Sequence, residues 1–437
     1  MECSNCGNHV EKTDKFCQFC GHDLKIKYDE KENNTSKMSI LKCPNCYEIV
    51  NEEDKFCHKC GCNLQNKFSD SMIEEINTNN QQIESNIASN TNLAQEAKNL
   101  FDNTTKSIGK LAGNEEVLNL NLKDMFSEVF KHHSKHESDD VFIAGTERTT
   151  PHIMEVSKEW GKPWVFSRVF LALAITLATL WILVNIFTNE NAIPGMIFIG
   201  ALIIPISGLI FFFESNAFKN ISFYEVLKMF FVGGVFSLLS TLILYNFISF
   251  SDEYETYGIM TFTDAFLVGL VEEIGKALIV ILFINYLRTN KILNGLLIGA
   301  SIGAGFAVFE IAGYILRYGL ESELDFTVMS EMIISRGWTA LGGHLVWAAI
   351  VGAATVIVKD SSQFTWGNIL DKRFLFFFFV SVILHAVWDA NITILGSLNL
   401  KYIILIIIAW IFVFILMKSG LSQVNKLQQE YKNLKEE

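Results

Sequence analysis

Two adjacent glutamates lie in the middle of an apolar segment, and this feature most restricts how the chain can fold. Glu272 and Glu273 occur within AFLVGLVEEIGKALIVILFINYL, and Lys276 follows one helical turn later. A charged side chain costs roughly 2.5–3.5 kcal/mol at mid-membrane, whereas each Leu, Ile, Phe or Val returns only about 0.3–0.6 kcal/mol. A helix with this sequence is therefore marginal in a bilayer and needs polar partners on neighbouring helices.

Apolar residues are unevenly distributed along the 437-residue chain. Residues 1–160 are polar and hold all nine cysteines, whereas residues 165–418 are a succession of apolar segments. Each segment has about 20 residues, which is enough to cross a bilayer. The chain starts with cysteines rather than with a signal peptide, so the first apolar helix is expected to direct insertion. The pattern predicts an all-α polytopic membrane protein with about eight transmembrane helices, at 166–187, 193–213, 225–248, 263–287, 292–316, 340–358, 373–395 and 400–418.

The connections between these segments alternate in charge. Lys219, Lys291 and Arg373 mark one set of loops. On the other side, the loops at 188–192 and 249–262 contain no Lys or Arg, and that at 317–339 is mainly acidic. Loops rich in Lys and Arg stay in the cytoplasm. We therefore expect a multi-pass protein of the cell membrane with both termini in the cytoplasm.

Paired cysteines in the first 64 residues predict two zinc-ribbon modules, at 1–24 and 41–64. Two knuckles of the form Cys-x2-Cys supply the four thiolates of a tetrahedral zinc site. Disulfide bonds are the alternative, but the absence of an export signal favours reduced thiolates in the cytoplasm. The chain is therefore expected to hold two structural zinc ions, on Cys3, Cys6, Cys17 and Cys20 and on Cys43, Cys46, Cys57 and Cys60.

The ribbons lack a concentrated basic face, and the chain carries a formal net charge of −12. Docking of a cytoplasmic protein partner is therefore expected from them, and nucleic-acid binding is not. Residues 65–160 are read as a flexible linker that contains a short amphipathic helix from Leu122 to Phe130. A membrane domain at 161–420 and a charged cytoplasmic tail at 421–437 complete the expected organisation.

Polar residues in three later segments are the expected partners of the paired glutamates. Glu310 lies on the fifth segment, His344 on the sixth, and His385 and Asp389 on the seventh. At 1.5 Å per residue, these groups and Glu272 lie roughly 9–15 Å from the outer end of their helices. A structural salt-bridge cluster is the simpler explanation, but so many ionisable groups at one depth favour a functional site.

Spacing within single helices indicates further contacts. Lys276 is three residues from Glu273 and four from Glu272, so its ammonium can reach either carboxylate. Asp389 follows His385 by four residues and is expected to fix the imidazole tautomer. Small residues at four-residue intervals predict close packing of the fifth helix on a neighbour, at Gly295, Gly299 and Gly303.

The four motifs together resemble the PrsW family of bacterial intramembrane proteases, distant relatives of the CAAX-protease and bacteriocin-processing superfamily. Glu272-Glu273-x-x-Lys276 is similar to the family's EExxK and Phe306-x-x-x-Glu310 to its FxxxE. His344 is similar to the family's lone histidine in the next span, and His385-x-x-x-Asp389 to its HxxxD. The resemblance covers roughly residues 260–395. It implies cleavage of membrane-anchored protein substrates, such as anti-sigma factors, near the outer face. It implies a catalytic set formed by Glu272, Glu273, Lys276, Glu310, His344, His385 and Asp389.

Two chemistries fit this set. One glutamate can act as general base without a metal, or two histidines and a carboxylate can hold a catalytic divalent metal such as zinc. Two other functions fit the composition. In a transporter the same groups carry ions or protons, and a non-catalytic scaffold recruits partners through its zinc ribbons. The complete motif set favours the protease.

Overall fold

A computed structural model describes residues 56, 58–60, 95–359 and 363–436. The chain divides into two compact units, and nearly all described residues belong to the second, Ala94–Glu437. The two zinc-ribbon modules expected from the sequence lie outside the described residues, apart from Phe56 and the short stretch His58–Cys60. In chain order the helices are α1 (95–111), α2 (Leu122–Met125), α3 (Lys135–Phe142), α4 (Val165–Asn185), α5 (Ile193–Ser215), α6 (Phe223–Lys228), α7 (Gly234–Tyr245), α8 (Asp252–Tyr257), α9 (Phe262–Tyr286), α10 (Ile292–Glu321), α11 (Phe326–Thr339), α12 (His344–Val358), α13 (Trp366–Ile369), α14 (Lys372–Asp389) and α15 (Leu398–Glu436).

Six helical segments of the described chain are long and apolar enough to cross a membrane. The expected multi-pass helical membrane fold is therefore confirmed. Helices α9 and α14 are not among the six, because each carries at least three charged residues. The count of eight spans stays a prediction. The six segments are Val165–Asn185, Glu190–Ser215, Phe223–Tyr245, Ile292–Glu321, Phe326–Val358 and Leu398–Lys435.

The segment between the fifth and sixth expected spans differs from its prediction. Residues 317–339 were expected to form an acidic outer loop, but α10 continues to Glu321 and α11 occupies most of the remainder. Met329 and Ile333 of α11 are buried. Between its acidic residues this segment has an apolar face that packs on α5 and α10. This face explains why the segment forms a helix.

Part of the expected flexible linker is folded. Residues 95–111 are helical, and Thr105, Ala112 and Met125 are buried. The amphipathic helix expected from Leu122 to Phe130 is reduced to the single turn of α2. We call residues 95–163 the arm. It packs on the last part of α15, where Lys418 pairs with Glu116, so the expected charged tail continues the last helix instead of leaving it.

Side chains close the ends of the helices that border the site. Thr261 accepts a hydrogen bond from the backbone N–H of Asp264 at the start of α9, and Asp264 in return accepts from the backbone of Thr261. Asp264 also accepts from the backbone and hydroxyl of Ser251, which ties the preceding loop to α9. Such reciprocal caps satisfy N–H groups that have no partner within the helix.

Helix α10 is the centre of the bundle and packs most extensively on α12. The expected small-residue face makes this contact. A Cβ added at Gly295 would overlap the carbonyl of Gly352, one at Gly299 that of Ala348, and one at Gly303 that of His344. The two backbones therefore touch along the length of α12, and this close approach requires glycine.

We expect Gly299→Ala to destabilise the protein by about 1–3 kcal/mol, because its methyl group would displace the α12 backbone. Thermal unfolding in detergent measures the change. Gly313 lies on the same helix with nothing within 4 Å of an added Cβ, so Gly313→Ala is the matched control and should change stability by less than about 0.5 kcal/mol. Equal stability of both variants would contradict the close α10–α12 packing.

Candidate active site

Four helices bring together all seven residues that the sequence nominated. Glu272, Glu273 and Lys276 lie in the middle of α9, and Glu310 lies on α10. His344 is the first residue of α12, while His385 and Asp389 occupy the last turns of α14. The polar partners that the paired glutamates need in an apolar helix are therefore supplied by three neighbouring helices.

The Lys276 ammonium is at the centre of the cluster. Its Nζ lies 2.7 Å from Glu273 Oε1 and 3.9 Å from Glu272 Oε2, so it pairs mainly with Glu273. It also lies 2.7 Å from His344 Nδ1 and 4.5 Å from the centre of the Phe306 ring. Lys276 is 1% exposed, so this ion pair is shielded from water and breaking it would leave a buried charge without compensation.

His385 is held by a carboxylate from another helix. Its Nδ1 lies 2.9 Å from Glu273 Oε1, and its ring stacks on Trp347 with the centres 4.4 Å apart. Its Nε2 lies 3.3 Å from Asp389 Oδ2 and 3.7 Å from Glu272 Oε2. The sequence predicted that Asp389 orients the imidazole alone, whereas here Glu273 contacts one ring nitrogen and Asp389 the other.

His344 connects Lys276 to Glu310. A lysine ammonium can only donate a hydrogen bond, so His344 Nδ1 accepts and the proton of a neutral ring is on Nε2. That Nε2–H donates to Glu310 Oε2 at 2.7 Å. The sequence placed these two residues at one depth, and the glycine face of α10 brings their helices close enough to bond.

Glu272 differs from Glu273 in its surroundings. The Tyr245 hydroxyl donates to Glu272 Oε1 at 3.0 Å, while Glu272 Oε2 is buried without a hydrogen-bond partner. Tyr245 ends α7, and sequence reasoning missed it because no motif contains it. The sequence signal beside it is Gly275, where α7 approaches α9 so closely that an added Cβ would overlap the Thr241 hydroxyl.

The donor atoms around Glu272 Oε2 fit a metal ion. One donor atom from each of Glu272, His344 and His385 lies within 4.8 Å of the other two. Two imidazoles and a carboxylate are a common ligand set of catalytic zinc. Because Glu272 Oε2 accepts no hydrogen bond within the protein, it has a lone pair available for such an ion or for a water molecule.

A cavity of about 720 Å³ opens onto these groups. Glu272, Glu310, His344, His385 and Asp389 line it, whereas Glu273 and Lys276 do not. Aromatic side chains and the Arg336 guanidinium form most of the remaining wall, and this guanidinium lies 3.7 Å above the Tyr314 ring. Helix α11 carries Arg336 to the cavity. The aromatic residues of the wall are Tyr245, Phe250, Tyr254, Tyr314, Tyr318, Trp347, Trp388 and Tyr402.

Comparison with known proteins identifies what this bundle is similar to. Residues 223–417 match the family described as PrsW family intramembrane metalloprotease. The matched residues include the whole candidate site. Protease PrsW of Clostridioides difficile (strain 630) is 23% identical over 242 residues, which cover 54% of this chain and 94% of that protein. No solved structure matches this chain.

The resemblance seen in the motifs is thus confirmed, and the protein is an intramembrane protease. The amino-terminal part also has a match, because residues 3–61 fit a double zinc ribbon. This agrees with the zinc expected there. The eight cysteine ligands and the count of two ions stay predictions, since seven of these cysteines lie outside the described residues.

We expect Lys276→Met to destabilise the protein by roughly 3–5 kcal/mol, because it leaves the Glu273 carboxylate buried without its cation. The double variant Lys276→Met/Glu273→Gln should recover part of this loss, since both charges are then removed. Thermal or denaturant unfolding in detergent measures the cycle.

A partly exposed pair provides the control for this cycle. Lys228 pairs with Glu225 one turn apart, with about a quarter of each side chain exposed. Lys228→Met should cost less than about 1 kcal/mol. If Lys276→Met proves as mild as this control, the cluster does not depend on the ammonium.

Proposed function

We propose that this protein hydrolyses a peptide bond of a membrane-anchored protein in the cavity that Glu272, His344 and His385 line. The observation that carries the proposal is Glu272 Oε2. This buried carboxylate oxygen accepts no hydrogen bond in the protein and lies 3.7 Å from one imidazole nitrogen and 4.0 Å from another. A carboxylate left open beside two histidines is equipped to act on a bound water or carbonyl.

The two adjacent glutamates have different roles in this proposal. Glu272 lines the cavity and works on the reactants, with the Tyr245 hydroxyl fixing its other oxygen. Glu273 is 0% exposed and accepts from the His385 Nδ1–H, so it turns His385 Nε2 toward Glu272 and Asp389. Glu273 is therefore a positioning residue, in the way that carboxylates orient histidines at many catalytic centres.

A divalent metal fits the proposed site, and Glu272, His344 and His385 would hold it, with His344 exchanging one of its present hydrogen bonds for the ion. When bound, such an ion polarises the scissile carbonyl and lowers the pKa of a water molecule. Glu310 then remains as a second carboxylate on the cavity wall, where it accepts a hydrogen bond from His344 Nε2–H. We assign to Glu310 the transfer of a proton from the water to the leaving amine, and to Lys276 the neutralisation of Glu273.

The substrate class follows from the resemblance to the family. We propose a membrane-anchored regulatory protein of the anti-sigma-factor type, cleaved near the outer face, with both termini of the protease in the cytoplasm. The positive-inside distribution of Lys219, Lys291 and Arg373 supports this orientation. In that orientation the double zinc ribbon is available to a cytoplasmic protein partner.

We expect Glu272→Gln and His385→Ala each to lower the rate of peptide cleavage by roughly 100-fold or more, because each removes a group that acts on the reactants. The measurement compares membrane-protein fragments, identified by their new amino termini, in cells that express wild type or a variant. Glu225→Gln, remote from the cavity, is the control and should release the wild-type fragments. Unchanged fragments in both active-site variants would disprove the proposed function.

Metal content tests the ligand set separately. We expect purified His385→Ala to retain about one zinc ion per chain fewer than wild type, because it loses one of three protein ligands of a catalytic site. The zinc ribbons are unchanged in this variant, so their ions cancel in the comparison, and Glu225→Gln again serves as control. Equal metal content in wild type and His385→Ala would favour metal-free glutamate chemistry.

A further inference from the structure

A second cavity, of about 350 Å³, lies at the far end of α12 from the active site. Lys359 follows the last residue of α12, and His344 is the first, so the two are roughly 22 Å apart along the helix axis. The arm, the start of α10, the end of α12, α14 and α15 all contribute to this basic cavity, which we define by Asn290, Lys359, Arg373, Ser419, Gln423 and Lys426.

Lys359 is the unusual member of this set. Lys359 is only 6% exposed, yet its Nζ atom has no hydrogen-bond or ion-pair partner. Burial lowers the pKa of the Lys359 ammonium because water no longer solvates the charged form. A buried cation without a partner costs free energy that a bound anion would return.

The other charges around the cavity are also positive. Arg373 binds Asp371 through two nitrogens, at 2.7 and 3.1 Å, and Lys426 donates to the Gly113 carbonyl at 2.9 Å. Among the described residues that line the cavity there are three cations and no carboxylate. The nearby pair of Lys418 with Glu116 is neutral as a whole. Arg373 is thus compensated by Asp371, whereas Lys359 and Lys426 line the cavity without a carboxylate contact among the described residues.

The walls of the basic cavity are built by specific hydrogen bonds. Gln423 on α15 accepts from the backbone N–H of Ile292 and donates to the carbonyl of Asn290, so it joins α15 to the start of α10. Lys426 joins α15 to the arm through Gly113. An anion in this cavity would contact segments that are far apart in sequence and would strengthen their association.

We propose that the basic cavity binds a phosphate group, carried by an anionic phospholipid or free in solution. A phosphate offers several acceptor oxygens and matches the ammonium donors of Lys359 and Lys426. Basic pockets between transmembrane helices at the cytoplasmic end are typical binding places for anionic headgroups. The same end of the bundle carries Lys291, Lys418 and Lys426 and is the expected cytoplasmic end. The proposal does not depend on the protease activity.

The test uses the full-length protein, purified in a neutral detergent and stripped of lipid. One arm adds phosphatidylglycerol, with zwitterionic phosphatidylcholine as the reference, and measures retained lipid by native mass spectrometry. The other arm adds inorganic phosphate against chloride at equal ionic strength and measures the shift in thermal unfolding. Lys359→Met is compared with Lys432→Met, which removes the same charge from the exposed end of α15.

We expect Lys359→Met to bind the phosphate ligand roughly ten-fold more weakly, because one charge-assisted contact is lost. Lys432→Met should bind as wild type, and Lys359→Arg should keep binding. Lys359→Met also removes an unpaired buried charge, so its stability without phosphate should not fall below that of wild type, which separates lost binding from misfolding.

The two arms identify the source of the phosphate. A Lys359-dependent effect of phosphatidylglycerol assigns the cavity to a lipid headgroup, and one of inorganic phosphate alone assigns it to the free ion. Both results support the proposal. If Lys359→Met and Lys432→Met respond equally in both arms, the basic cavity is not a phosphate site and the proposal is overturned.

Discussion

Both the fold and the site depend on the contacts of the buried Lys276 ammonium. It compensates Glu273 on its own helix, bonds to His344 on α12 and lies against the Phe306 ring of α10. Without this cation, α9 would bring two carboxylates into the apolar bundle with no charge to oppose them. Lys276 therefore offsets the charge that α9 brings into the membrane and also joins α9 to His344.

Close packing at glycines of α10 positions His344 and Glu310 of the site. The α10 and α12 backbones meet at Gly303, where the carbonyl of His344 occupies the space that a side chain would fill. This approach brings the His344 ring within 2.7 Å of Glu310, which lies about two helical turns after Gly303 on α10. A small-residue stripe is usually explained by helix association alone. In this bundle it also sets the length of a hydrogen bond at the candidate active site.

The sequence predicts which residues meet better than it predicts how they meet. Helical spacing gives the Lys276–Glu273 contact directly, because both partners lie on one helix. It cannot give the rotation of one helix against another, so it assigned His385 to Asp389 and did not predict the contact of His385 with Glu273. Tyr245 was missed for the same reason, and the α11 helix was missed because its acidic residues resemble a loop. The charges that nominated α9 as a site helix are also what removes it from the segments apolar enough to span a membrane, and in α14 Asp389 does so together with Lys372 and Arg373.

Unpartnered charged atoms at the two ends of α12 indicate different kinds of ligand. Near His344, Glu272 Oε2 has no hydrogen-bond partner and lies beside two imidazoles, in a cluster where the Lys276 ammonium faces several carboxylates, so this end can accept a cation or a water molecule. Near Lys359 no carboxylate lines the cavity among the described residues, so that cation can accept an anion from outside. The cost of an unpaired buried group is similar at both ends. The composition of the surrounding wall, and not burial itself, determines which ligand each end can accept.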